Sequence, residues 1–185
     1  MSIITKRGDE GQTDLLFSKR VAKTSVRIQA LGSVDELNAA LGLARVSGMH
    51  DDLVPIIDRV QEKLVAAMGQ LATLPEDASR YTYAAITEAD VVWIEETATS
   101  LEARGVRFTG WARPGAEGAI GAAALDLARS VSRRAERHAW ELHETDGGVS
   151  ESVLLFLNRI SDLLWIMARV ESTPNDASNR TPKSP

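Results

Sequence analysis

The stretch VLLFLNRISDLLWIMARV, residues 153–170, decides the fold. It is apolar on nearly every side of a helical wheel, and such a helix belongs in the middle of a core. Outward from it, Leu53, Ile57, Val60, Leu64, Met68 and Leu71 recur at helical spacing, as do Leu31, Val34, Leu37 and Leu41 between Ser25 and Val46. Thr87 reads as the N-cap of a third helix from Glu88 to about Arg104, with the acidic first turn that a helix dipole favours. A fourth runs from about Glu117, past the Pro114-Gly115 break, to Glu144 before Gly147-Gly148. The opening stretch lies in a fifth, from about Glu151 to Val170. Five helices and no convincing strand predict an all-α fold: an up-down five-helix bundle with a four-helix-bundle-like core and an extended N-terminal segment.

A chain of 185 residues, 44% of them hydrophobic, is long enough for one domain with a substantial core. Its formal net charge of -5 argues against nucleic acid or an anionic membrane surface as the main partner. Cysteine is absent, which excludes disulfides, thiolate metal ligands and a cysteine nucleophile. MSIITKRGDEGQTD lacks a basic region followed by an apolar run, and no apolar segment is long enough for a membrane span, so a soluble cytoplasmic protein is expected. The tail STPNDASNRTPKSP has no aliphatic residue beyond one alanine, and residues 172–185 are expected to be disordered.

Polar groups stand where core is expected. On the fifth helix Asn158, Ser161 and Asp162 share a face, and a buried carboxylate needs a cationic or hydrogen-bonding partner. On the first, Asp35 and Asn38 lie beside the Leu31/Val34/Leu41 stripe. Arg129, Arg133 and Arg137 follow one another at four-residue spacing on the fourth helix, flanked by Arg134 and Glu136. Such a row suits an anion, because arginine's fork of donors matches phosphate oxygens; taken alone, it is more often a solvated face. In TKRGDEGQTD, Gly8 and Gly11 surround Asp9 and Glu10, with Lys6 and Thr13 outside them. This arrangement could turn backbone N–H groups toward a phosphate or form an ordinary surface turn. It is no P-loop.

A protein-held metal centre is not expected. No Glu-x-x-His pair occurs, His138 and His143 lie on different helix faces, and His50 sits near a loop. No nucleophile elbow supports a Ser/His/Asp hydrolase.

Together, TKRGDEGQTD, VAKT, GSVDELNAALGLAR, LDLARSVSRRAERHAW and FLNRISDLLWIMAR resemble, in order and spacing, the PduO-type ATP:cob(I)alamin adenosyltransferases, from about Ile4 to Arg169. The resemblance implies a homotrimer with ATP held between adjacent subunits. The N-terminal segment, residues 1–24 of the same domain as the 25–171 bundle, would bind nucleotide through Thr5, Lys6, Arg7, Gly8, Gly11, Thr13, Asp14 and Lys23. Arg133, Arg134, Glu136, Arg137 and Asn158 would complete the other side.

The implied reaction moves the 5′-deoxyadenosyl group of ATP to Co(I) of cobalamin and releases triphosphate, with Mg²⁺ carried by the triphosphate. The catalytic set expected from this resemblance is Arg137, Arg133, Asp35 and Asn158. Arg137 would meet the triphosphate, and Arg133 would face inward and pair with Asp35. A reductase and a B12-dependent acceptor enzyme are the further partners implied. Arg7 stands where many relatives carry threonine or serine, and GWARPGAEG departs from their Phe-Val-x-Pro-Gly-Gly. The departing loop is compatible with an alternative, a diverged non-catalytic binder of ATP or adenosylcobalamin.

Overall fold

A computed structural model describes residue 4 and residues 6–107 and 110–173. Its helices are α1 Val26–Val46, α2 Val54–Leu71, α3 Glu88–Glu102, α4 Ile120–Thr145 and α5 Glu151–Ser172. α1 packs on α2 and α4, and α5 packs on α4 and α3, which gives the expected five-helix bundle. α5 is buried along most of its length, with Phe156, Leu157, Ile160, Leu163, Leu164 and Met167 inaccessible to solvent. Each such side chain stabilises the fold by roughly 1.5–3 kcal/mol through loss of water contact.

α4 supplies a different kind of core. Its inward face is small, with Ala124, Ala128, Ala135 and Ala139 all buried, so α1 and α5 can approach its backbone closely. Its start falls at Ile120 rather than near Glu117, because Gly115 and Gly118 take left-handed backbone in two short turns first. At the other end Gly147 and Gly148 are also left-handed and stop the helix. α3 begins as expected at Thr87, whose N–H and hydroxyl both donate to Asp90 Oδ2, at 3.0 and 2.9 Å.

Two features depart from the sequence reading. Residues expected to be strandless form a small antiparallel hairpin, β1 Gln12–Asp14 and β2 Arg20–Ala22, with Thr13 opposite Val21. Its turn places Phe17 and Ser18 at φ 57° and 60°, left-handed positions with no glycine to announce them. LPEDASRYTY, read as a turn, contains a 3-10 helix over Pro75–Arg80. The hairpin docks there: Lys19 lies 3.4 Å from Asp77, Arg80 stacks 4.3 Å from the Phe17 ring, and Leu16 N–H donates to Ala72 O at 3.3 Å. α5 continues through Ser172, and residues 174–185 of the expected tail lie outside the described residues.

Arg27, 1% exposed, ties this end of the bundle together. It donates to Leu71 O at 2.8 Å and Thr73 O at 3.2 Å, and lies 3.7 Å from Asp146 at the end of α4. Burial pulls its guanidinium below the ordinary arginine value, against the attraction of Asp146.

Candidate active site

The N-terminal half of the predicted site is built by the hairpin and the loop before it. Lys6 and Gly11 are left-handed, at φ 59° and 77°, and turn the loop back on itself. Lys23 N–H donates to Gly11 O at 2.8 Å, which places the lysine side chain against Gly8. A Cβ at Gly8 would stand 2.8 Å from Lys23 Nζ, so the missing side chain is what admits the ammonium group. Asp14 receives Arg7 at 2.9 Å and Arg20 at 3.3 Å, and Arg20 also donates to Arg7 O at 2.9 Å. Thr13 is half-buried in the hairpin, and Thr5 lies outside the described residues.

The other half comes from α4 and α5. Asn158 donates to Glu136 Oε1 at 2.8 Å and accepts from Arg159 at 2.6 Å, while Arg159 also pairs with Glu95 of α3 at 2.7 Å. Arg134 pairs with Glu36 of α1. Arg129 turns away toward the buried Asp126, at 3.4 Å, and Asp126 also receives Arg169 at 2.5 Å. Arg133 and Arg137 are exposed and form no ion pair among the described residues; Arg137 only folds back on its own helix, donating to Arg133 O at 2.9 Å.

Three expectations are corrected here. Arg133 does not face inward, because the inward positions of α4 are Ala128, Val131, Ser132, Ala135 and Ala139. It forms no ion pair with Asp35 of the same chain, and Asp35 is itself exposed. Asp162 is not a buried carboxylate: it is exposed, seven residues after the partly exposed Leu155 on the narrow outward stripe of α5. Sequence reasoning also missed Arg20, Arg27, Glu36 and the Asp126/Arg169 pair, whose partners lie far along the chain and leave no local pattern.

No polar contact joins the two halves within the described residues. No hydrogen bond or ion pair there links residues 6–23 to α4; the hairpin is held by the Pro75–Arg80 helix and the end of α2. Cavities of about 330 Å³ beside His50 and Arg169, and about 460 Å³ beside Leu16 and Tyr81, include neither Arg133, Arg137 nor Asn158. Among the described residues no group of three or more His, Cys, Asp or Glu could hold a metal ion.

The fold and site define a helical bundle with two exposed arginines that form no ion pair among the described residues. The comparisons with known proteins narrow it further: a family model for cobalamin adenosyltransferases matches residues 3–171, and the chain belongs to that family. A corrinoid adenosyltransferase from Mycobacterium leprae is 36% identical over 179 residues, covering 94% of this chain and 93% of the relative. One from Bacillus subtilis is 36% identical over 174 residues, covering 92% and 86%. Among solved structures, a phenylalanine-to-alanine variant of a PduO-type ATP:corrinoid adenosyltransferase from Lactobacillus reuteri, complexed with cobalamin and ATP, superposes with a TM-score of 0.83. Its identity to this chain is 31%, with 91% of this chain and 92% of that one covered.

Proposed function

We propose that this chain transfers the 5′-deoxyadenosyl group of ATP to Co(I) of cobalamin at a site completed between subunits. It is a corrinoid adenosyltransferase, so the bond broken joins the 5′ carbon to the triphosphate and the bond formed joins that carbon to cobalt. The reduced corrinoid brings its own electron pair, and no protein base is required. The protein has two tasks, holding the carbon in line and neutralising the departing triphosphate.

One observation carries the assignment of roles. On the turn of α4 where Arg134 and Glu136 are both engaged, Arg133 and Arg137 have no counter-charge among the described residues. Arg137 takes the triphosphate, with Arg134, Glu136 and Asn158 fixing the surface around it. Lys6, Arg7, Gly8, Gly11, Thr13, Asp14 and Lys23, with Thr5, wrap the nucleotide from the neighbouring subunit. Mg²⁺ accompanies the triphosphate. Trp111, 89% exposed and three residues before Pro114, takes the place of the relatives' phenylalanine on the side facing the corrin.

Arg133 and Asp35, both exposed, pair across a homotrimer interface rather than within a chain. Leu43 and Val46, 54% and 73% exposed, continue the Asp35 stripe along α1 and give that interface apolar area. Among the described residues no helix is long and apolar enough to cross a membrane, and the enzyme works in the cytoplasm beside a reductase that supplies Co(I) and a B12-dependent enzyme that accepts the product. The test is anaerobic incubation with ATP, Mg²⁺ and chemically reduced cobalamin, followed by absorption spectroscopy. Appearance of the cobalt–carbon bond over many turnovers supports the reading; tight ATP binding without turnover overturns it in favour of a carrier.

A further inference from the structure

Arg137 can neutralise a triphosphate only if the helix beneath it is held at a fixed rotation. Side chains end about 6 Å from a helix axis, so a roll of about 10° moves such a group by about 1 Å. A misplacement of that size can cost about a hundredfold in rate. At the turn that carries Arg137, three side-chain contacts with neighbouring helices oppose such a roll. Arg134–Glu36 is 40% and 56% exposed, and a pair so placed contributes little. Glu136–Asn158 fastens α4 to α5. The third is made by His138, which follows Arg137 and reaches two residues of α1.

His138 Nδ1 lies 2.5 Å from Ser33 Oγ, and Nε2 lies 3.3 Å from Gln29 Nε2. Ser33 Oγ is also 2.9 Å from Gln29 O; if its proton goes there, the Nδ1–H tautomer lets it accept from His138 while Nε2 accepts from the Gln29 amide. Ser33 is 6% exposed, which makes this the best shielded tie between the arginine turn and α1. Gln29 stands four residues beyond the Ser25 cap of α1, and Lys23 lies just before that cap.

We infer that His138 is a positioning residue for Arg137: through Ser33 and Gln29 it locks the rotation of α4 on α1, so that Arg137 meets the triphosphate. The inference rests on the adenosyltransferase reading and on Arg137 being the triphosphate ligand. Its test is steady-state kinetics on the full chain with ATP, Mg²⁺ and reduced cobalamin, in a double-mutant cycle. His138→Leu should raise KM for ATP about tenfold and change KM for the corrinoid less than twofold, the scale set by losing one or two hydrogen bonds. Ser33→Ala should reproduce the effect, and His138→Asn, whose amide N–H can still donate to Ser33, should recover most of it.

In an Arg137→Ala background His138→Leu should add less than a twofold change, because a residue acting through Arg137 has nothing left to position. Full additivity in that background, or an unrescued His138→Asn with normal folding, overturns the inference and leaves the enzyme reading intact. An Arg137→Ala variant with unchanged ATP kinetics removes the ligand role of Arg137 and the inference together. If His138→Leu fails to fold, Ser33→Ala and His138→Asn carry the same cycle.

Discussion

In the N-terminal segment Asp14 binds both Arg7 and Arg20, while Lys23 is lodged on Gly8; on α4, two of the three arginines between positions 133 and 137 pair with no acid among the described residues. The first region engages both its arginines internally and leaves Lys6 and Lys23 with no ion pair among the described residues. The second uses Glu36, Glu136 and Asn158 to hold its shape and leaves Arg133 and Arg137 for something outside the chain. The number of basic residues in a segment therefore says little about its anion affinity. What counts is how many remain unneutralised after folding, since an internally paired guanidinium must give up its acid before it can bind phosphate.

That contrast can be attacked directly. Removing the free cation should hurt most: Arg137→Ala should lower kcat/KM for ATP by about 10²–10³, the range seen when one preorganised charge-stabilising donor is lost, with helical circular dichroism unchanged. Lys23→Ala, which takes an ammonium group from the opposite wall, should lower it by about tenfold to a hundredfold, as for one charge-assisted hydrogen bond. Arg7→Ala should cost less than either, because its charge is already engaged with Asp14; a loss as large as that for Arg137→Ala would erase the distinction between the two regions.

Charge reversal at the proposed subunit interface should come next in size. Arg133→Asp or Asp35→Arg alone should shift sedimentation from trimer toward monomer, and the two together should restore the trimer; an unaltered trimer in all three would exclude the pair.

The smallest effect concerns pH. The hydrogen bond from Arg80, helped by Lys19, holds the Asp77 carboxyl below its ordinary value of 3.8. A depressed carboxyl stabilises the folded state above the unfolded value and loses that contribution as pH falls through the folded one. The hairpin dock should thus be constant from neutral pH down to about 4 and weaken only below it. Asp77→Asn should flatten that acid limb of stability, measured by thermal melting across pH.

How much of this was readable beforehand depended on whether a residue's environment is set by its neighbours in sequence. α2 and α5 could be read because hydrophobic period alone fixes a helix and its inward side. The hairpin could not, since strands of three residues are too short for alternation to show, and its left-handed turn uses Phe17 and Ser18 rather than glycine. The side on which Asp162 falls is not legible in the sequence, because α5 has almost no polar face against which to orient the wheel. For Arg133 the error was one position. Successive helical residues differ by 100°, enough to exchange an inward for an outward role, and it is Arg134 that reaches α1. The arginine block itself was legible; which of its members stay free was decided by Glu36, Asp126 and Asn158, on three different helices.

The buried Arg27 has a consequence for the order in which the protein is built. It bonds to carbonyls at and just past the end of α2 and lies beside Asp146 at the end of α4, while the neighbouring Ala72 carbonyl receives Leu16 of the hairpin. The hairpin, docked on Ala72 and the Pro75–Arg80 helix, thus adjoins the point where helix ends separated by some seventy positions converge on one guanidinium. The nucleotide loop is therefore expected to mature after those helix ends and to release before them. Pulsed amide exchange should show residues 11–23 protected after α2 and α4, and their exposure under mild denaturant should precede loss of the bundle.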